Sequence, residues 1–261
     1  PTIKVSDVAD IAQKFIRVSR ESIYFLQNVE EIEIFLNEKI ISSIKKQVSK
    51  GENQLLRVID TVDKSEQVFL YFSSRIHASK IPYDSQLRSD KIEILVPLDE
   101  KKSSGKIFAT LPIKQGIEAP LFINADFAID NDRNFLILTG DMSQSHIKRN
   151  RELVKVSAEL LCEHFQSISR VIGEPQTWHL LEGMYRGFQK ISSFDTVDGI
   201  DEVFWRTIIA KSKSFEIFQS QNGVFLSISD LFVENEDSSQ STFSTMNNLH
   251  LNYVPNLDRK R

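Results

Sequence analysis

The residues best equipped for chemistry are gathered between Asn124 and Asn134. There Asn124, Asp126, Asp130, Asn131, Asp132, Arg133 and Asn134 stand beside the apolar Phe122, Ile123, Phe127 and Ile129. On an extended strand Asp126 and Asp130 would face the same side, and carboxylates so placed offer the oxygen ligands that hard divalent cations take. That pairing would suit a metal-dependent phosphodiesterase, which also needs a third ligand and a lysine that the sequence does not place. The same spacing suits a strand ending in an Asx-rich turn, where short polar side chains bond nearby backbone groups, and this is the commoner use of such residues. Arg133 is read separately. Its guanidinium stays charged and presents a planar fork of donors suited to phosphate oxygens. The competing role is a local ion pair with Asp130 or Asp132, worth about 1 kcal/mol or less at a surface. Lys148 and Arg149, in the run Lys148-Arg149-Asn150-Arg151, are secondary candidates for a phosphate contact, because such a run more often forms a solvated helix face.

Other familiar chemistry is missing from the sequence. There is no G-x-x-x-x-G-K-[ST] and no G-x-G-x-x-G among nine glycines, so neither common phosphate-cradling loop is present. No H-E-x-x-H, C-x-x-C or G-x-S-x-G occurs, and His77, His146, His164, His179 and His250 show no ligand spacing. The sequence therefore offers no histidine or cysteine metal site. Cys162 reads as a small buried hydrophobe rather than a nucleophile, and His164, on an apolar helix face, as a hydrogen-bonded core residue.

Charge and length narrow the class. A formal charge of -4 gives no overall pull toward nucleic acid, which is disfavoured as a partner. A single cysteine excludes an intramolecular disulfide and fits a reducing, cytoplasmic compartment. No apolar run approaches the roughly 20 residues that span a bilayer, and no signal peptide is legible, so no membrane association is expected. With 18 Phe among 261 residues there is ample apolar surface for a core, and the length allows two folding units. Pro1, without an initiator Met and followed at once by helix-like sequence, is expected of a boundary inside a longer protein.

The elements that must position these residues follow from periodicity. Val8, Ile11, Phe15, Ile16 and Val18 predict an amphipathic helix to about Ser19. Ile23 to Leu26 and the alternation around Ile32 and Ile34 predict short strands, followed by Leu55 to Val62, Gln67 to Ser73, Lys91 to Leu98 and Lys106 to Leu111. Ala119 to Ile129 reads as a strand pair or one long bent strand, with Phe122 or Ile123 and Phe127 in the core, and Phe135 to Leu138 as a further short strand. A long helix is predicted from about Ser145 to Val171, with Leu153, Val156, Leu160, Leu161, His164 and Phe165 on its inner face. Gly173 and Pro175 end it. Helices over Thr177 to Ile191 and Ile200 to Ser212 follow, then a hairpin of Phe215 to Phe218 and Val224 to Ile228 around Asn222-Gly223. The acidic, then Ser/Thr/Asn-rich stretch from Glu234 reads as a linker or mobile tail.

Three segments then resemble a known family, over about residues 20–232. Ser22 to Ile34 resembles the strand pair that follows the nucleotide-binding domain in the sacsin-like and NO VEIN-like branch of the GHKL (heat-shock-chaperone-type) ATPases. Gly105-Lys106-Ile107-Phe108-Ala109-Thr110-Leu111-Pro112-Ile113, then Ala119 to Ile129, then Asp132-Arg133, is similar to that family's ordered run ending in a basic pair. Asn150-Arg151-Glu152-Leu153 resembles its long-helix start. The chain departs from the pattern at Ala125, Asn134, Ile137 and Arg149, where the family often has glycine, arginine, tryptophan and tryptophan.

The resemblance implies an α+β fold: a mixed, mainly antiparallel sheet with helices on one side, like a GHKL transducer domain, then a small helical region with a β-hairpin. The expected divisions are an N-terminal linking helix (1–20), a transducer-like sheet domain (21–172), helices plus hairpin (173–233) and a tail (234–261). It implies a role as the middle segment of a chaperone-like or remodelling ATPase, with an upstream nucleotide-binding domain of the same protein as its partner and a protein client beyond. ATP and Mg are expected only with that upstream domain, and none in this chain, where Arg133 is the candidate γ-phosphate contact. The alternatives are a non-enzymatic protein-binding module and the phosphodiesterase using Asp126 and Asp130.

Overall fold

The computed structural model describes residues 5–49, 54–80, 89–98, 104–138, 144–173, 176–183 and 199–212, with four two-residue strands beyond them. The chain is α+β, built on an eight-stranded sheet in the order β1-β2-β3-β4-β5-β8-β6-β7. The strands are β1 (Glu31–Leu36), β2 (Lys39–Val48), β3 (Leu55–Asp60), β4 (Ser65–Arg75), β5 (Lys91–Pro97), β6 (Gly105–Ala109), β7 (Leu111–Ile117) and β8 (Phe122–Asn124). Every pairing is antiparallel except β6 with β8. The expected mixed, mainly antiparallel sheet is what forms.

Because successive side chains on a strand point to opposite faces, the sheet builds two cores. Ile92, Ile94 and Val96 of β5 join Ile107 and Ile123 on one face, under the long helix α2 (Gln144–Ile172). Leu153, Val154, Leu160, Leu161, Phe165 and Ile168 are the α2 side chains that meet them. Helix α3 (176–183) adds Leu180, and α4 (Ile200–Ser212) adds Ile200, Phe204 and Ile208 at four-residue spacing. Gly173, at φ 79, ends α2 by returning its amide to the Ser169 carbonyl at 2.9 Å, as its sequence position indicated.

The second core covers part of the other face. Leu95, Phe69, Phe108 and Phe122 meet Ile23, Tyr24 and Phe25 there. This corrects the reading of Ile23 to Leu26 as a strand: helix α1 (Val5–Ser22) runs on to Ser22, and residues 23–25 form a turn. Burial decides the matter, since Tyr24 lies 5.1 Å from Phe69 and 5.6 Å from Phe122, and Phe25 lies 4.8 Å from Phe108. Such aromatic pairs add about 0.5–1.5 kcal/mol each beyond burial, more than a local β preference supplies.

Two strands lacked a sequence signal. In β2 the buried positions include Ser42 and Ser43, whose hydroxyls donate to Asp60 at 2.6 Å and Glu31 at 2.8 Å, so the apolar alternation is broken by satisfied polar groups. In β7 Pro112 and Gly116 obscure the pattern, and both are tolerated because β7 is a sheet edge. The stretch Ala119 to Ile129 is neither a strand pair nor one bent strand. Leu121 N bonds Ala119 O at 2.7 Å and Phe127 N bonds Ala125 O at 2.8 Å. These two i→i+2 turns cut the ladder to three residues, and only Ile129 bridges onward, to Leu136.

Beyond α4, β9 (Phe218–Gln219) pairs antiparallel with β10 (Phe225–Leu226), giving the expected hairpin, and β11 (Phe232–Val233) pairs parallel with β12 (Tyr253–Val254). The Asn-Gly turn, the second half of the helix expected to Ile191 and most of the tail lie outside the described residues.

Helix α1 is fastened by Arg20, whose guanidinium donates to Asp60 at 2.9 Å and Asp63 at 2.8 Å. Burial alone would raise the Asp60 carboxyl, but hydrogen bonds from Ser42, the Val62 amide and Arg20 outweigh it and hold the group below its ordinary value.

Two expectations follow. Phe127, 4% exposed in the first core, should lose about 3–5 kcal/mol of stability on Phe127→Ala, measured by urea denaturation. An unchanged midpoint would remove it from the core. A carboxyl with a lowered folded-state pKa contributes stability that is complete above the unfolded value of about 3.9 and is lost as the pH falls through the folded one. The stability gap between Asp60→Asn and the parent chain should therefore be full at neutral pH and shrink below about pH 4; a gap independent of pH would show that the Asp60 charge is not what matters.

Candidate functional site

The residues singled out at the start converge where the β6–β7 hairpin tip, the segment after β8 and the first turns of α2 meet. A cavity of about 680 Å³ lies here. Its lining includes Thr110, Asp126, Asp130, Arg133, His146 and Arg149.

Each side chain has a definite mount. Asp130 closes the turn as an Asx residue: its Oδ1 accepts from the Asn134 amide at 2.6 Å and the Phe135 amide at 3.2 Å, and its carbonyl accepts from the Arg133 amide at 3.1 Å. The Asx-turn reading of this acid is the one realised. Arg133 sits at φ 56, a left-handed conformation uncommon outside glycine. Its backbone rests on β7, since Lys114 N bonds Arg133 O at 3.4 Å and Gln115 N bonds Asn134 O at 2.8 Å. Its Nη2 reaches the Ala109 carbonyl at 3.4 Å, at the hairpin tip. The anticipated ion pair to Asp130 or Asp132 is absent: among the described residues no carboxylate lies within salt-bridge distance of Arg133, which is exposed.

Arg149 is in the opposite state. It is 7% exposed, pairs with Asp126 Oδ2 at 2.8 Å and also donates to the Asp126 carbonyl. Its charge thus serves the junction between α2 and the segment after β8. Lys148, one position earlier, is exposed and does not line the cavity. The structure therefore brings Arg133, Arg149, Asp126 and Asp130 together and leaves Lys148 outside.

The strand on which Asp126 and Asp130 were to share a face is not formed, because residues 125–128 are outside any ladder. With Asp126 committed to Arg149 and Asp130 to turn amides, the pair is not arranged as a ligand set. No group of three or more His, Cys, Asp or Glu among the described residues could hold a metal ion.

The roles of three site-building residues, Asn150, Thr110 and His146, escaped sequence reasoning, as did the bonds that Asn124 makes. Asn150, fully buried in the second turn of α2, accepts from the Ala128 amide at 2.8 Å and donates to the carbonyls of Ala128 at 2.6 Å and Ile137 at 2.9 Å. It was legible only as part of a helix-start pattern. Thr110, at φ 68, is a β-branched residue where such a backbone is a true outlier. Its amide donates to Asn124 Oδ1 at 2.9 Å. Asn124 in turn donates to Glu93 Oε2 at 2.8 Å, and His146 enters only through the geometry of the helix start.

The remaining titratable candidates stay outside this site. Burial raises the Cys162 thiol to about 12, which keeps it protonated, in agreement with its reading as a hydrophobe. Among the described residues His164 has no hydrogen bond of the kind expected; it stacks on Phe72 at 4.5 Å, and burial lowers its pKa.

Comparison of the chain with protein-family models, with curated proteins and with solved structures finds no match in any of the three. What fold and site define is thus a class, an α+β unit carrying an arginine-lined surface cavity. No helix among the described residues is long and apolar enough to cross a membrane.

Replacing Asp126 by Asn should destabilise the chain by about 3 kcal/mol, because it leaves the buried Arg149 charge under-compensated. Asp130→Ala should cost nearer 1 kcal/mol, the net worth of its turn hydrogen bonds. Denaturation of the two variants in parallel checks the order, and a reversed order would contradict the assignment of structural roles.

Proposed function

We propose that this chain is a coupling segment, without a complete catalytic site of its own, that presents Arg133 to a phosphate group held by another domain, in the manner of the transducer region of sacsin-like GHKL ATPases. The observation that carries the reading is the state of Arg133. It is an exposed guanidinium, left without a carboxylate among the described residues, set in a strained backbone and lining a cavity. Strained residues cost about 1–3 kcal/mol each and cluster at functional sites. Of the five non-glycine residues with positive φ among the described residues, Thr110 and Arg133 both line this cavity, whereas Asn37 and Glu38 simply make the β1–β2 turn. The ordered motif run of the sequence supports the family.

In this reading the upstream nucleotide-binding domain supplies ATP and Mg, and closing it against the hairpin brings Arg133 to the terminal phosphate. The resulting change in domain arrangement is what a chaperone-like or remodelling protein would pass to its client. The single cysteine is in keeping with a reducing cytoplasmic setting. The chain alone has no phosphate-cradling loop, so it should show no thermal shift with Mg-ATP, where a ligand at 100 times its Kd would give about 2.7 kcal/mol.

The decisive measurement is made in the protein that carries the chain together with its nucleotide-binding domain. Arg133→Ala should lower ATP turnover by about 10³-fold or more, the scale of an arginine supplied to a phosphoryl-transfer transition state, while ADP affinity stays nearly unchanged. Unchanged turnover, or a clear Mg-ATP shift in the isolated chain, would overturn the proposal.

A further inference from the structure

A polar row crosses the centre of the sheet at the border of the second core and ends at the hairpin that carries Arg133. It begins on β4 and β5. Glu93, 4% exposed, takes Tyr71 Oη at 2.7 Å and Lys91 Nζ at 2.6 Å. Its other oxygen accepts from Asn124 Nδ2 at 2.8 Å, across the β5–β8 ladder where Glu93 and Asn124 are register partners. Asn124, 8% exposed, then accepts from Thr110 N at 2.9 Å.

The amide of Asn124 has no freedom in this row. A carboxylate can only accept and a backbone N–H can only donate, so Nδ2 must face Glu93 and Oδ1 must face Thr110. Aspartate at this position would bring two carboxylates together and lose one bond; leucine would lose both. The asparagine is therefore fitted to hold a turn at φ 68 that a threonine does not adopt by itself.

What that turn supports is Arg133. The Ala109 carbonyl, just before Thr110, receives the Arg133 guanidinium, and Lys114 and Gln115, just after it on β7, donate their amides to the carbonyls of Arg133 and Asn134. Side chain and backbone of the arginine are thus both mounted on the hairpin that Asn124 pins.

We infer that Glu93 and Asn124 are positioning residues for the arginine site, acting through the Thr110 turn on the placement of Arg133, although neither lines the cavity. The functional consequence rests on the phosphate-contact reading of Arg133; the mechanical linkage does not. Loosening the row frees the hairpin tip, and the guanidinium then samples orientations in which it no longer faces an incoming phosphate.

Hydrogen exchange in the 261-residue chain tests the linkage directly. Asn124→Ala should speed exchange of the Thr110, Lys114 and Gln115 amides about tenfold or more, the effect of a lost buried hydrogen bond, with β3 and β4 amides unchanged. Faster exchange at Thr110 alone would overturn the linkage, since the mount of Arg133 would then be independent of the row. Should Asn124→Ala loosen the whole sheet, Glu93→Gln, which keeps the volume and removes the charge, should give the same local pattern; exchange unchanged at all three amides would overturn the inference. In the protein with its nucleotide-binding domain, the variant showing the local pattern should lower kcat with KM unchanged and with normal ADP affinity. The local pattern with unaltered turnover would leave the linkage standing and reject the phosphate role of Arg133.

Discussion

The sheet is continuous only because three residues pair on both sides. Phe122, Ile123 and Asn124 bond antiparallel to β5 and parallel to β6, so β8 is the sole join between the five-stranded meander β1 to β5 and the β6–β7 hairpin. Each residue is buried and each has its own task. Ile123 enters the core beneath α2, Phe122 enters the aromatic core around Tyr24, and Asn124 links Glu93 to the hairpin tip. A one-residue slip would exchange the two cores and bury the asparagine without partners, so the register is strongly specified. The close approach of neighbouring segments adds a further constraint: at Gly105, the start of β6, a Cβ would lie 1.9 Å from the Leu121 carbonyl oxygen. Only glycine fits there, and a substitution would push β6 away from the join.

The legible parts of the fold were those in which one physical signal dominated. Helix α2 carries three- and four-residue apolar spacing from Leu153 to Ile168 and is closed by a positive-φ glycine, and its predicted and observed ends differ by one residue at each side. Helix α4 and strands β3, β4 and β5 were similarly clear. Where signals competed, tertiary packing won. Ile23, Tyr24 and Phe25 have strand-forming side chains, yet their rings are worth more as a plug over Phe69, Phe108 and Phe122 than as a ladder. Strand β2 hides behind buried serines whose partners, Asp60 and Glu31, lie twelve or more residues away.

The site was legible as a cluster but not as an arrangement. Sequence spacing could place Asp126, Asp130, Arg133 and Arg149 near one another through the order of segments. It could not say that Arg149 turns inward to Asp126 while Arg133 stays outside, because that depends on two i→i+2 turns and on Asn150 bonding two separate segments to α2. The Thr110 turn likewise depends on long-range partners: Asn124 and Thr110 are 14 positions apart, and Glu93 and Asn124 are 31. A reading by local periodicity has no access to such pairs.

The two arginines of the cavity differ in what an added anion could gain from each. Arg149 has already lost most of its water and is compensated by Asp126, so exchanging that partner for another anion would gain little. Arg133 is exposed to solvent, and among the described residues its donors are committed only to a long contact with the Ala109 carbonyl. At 4 Å, one pair of unit charges is worth about 1 kcal/mol in bulk water and about 4 kcal/mol at the effective dielectric of a protein surface. Alone, then, the exposed arginine holds a phosphate too weakly to bind it at ordinary concentrations. A domain closing over the cavity would remove water from the same pair and strengthen it several-fold without moving either charge, while the prior fixing of the turn by Asn124 and Asp130 spares the ordering cost at that moment. On the proposed reading, an exposed arginine held in a fixed turn would be a poor receptor in isolation and would engage a phosphate only when a second domain brings one to the cavity.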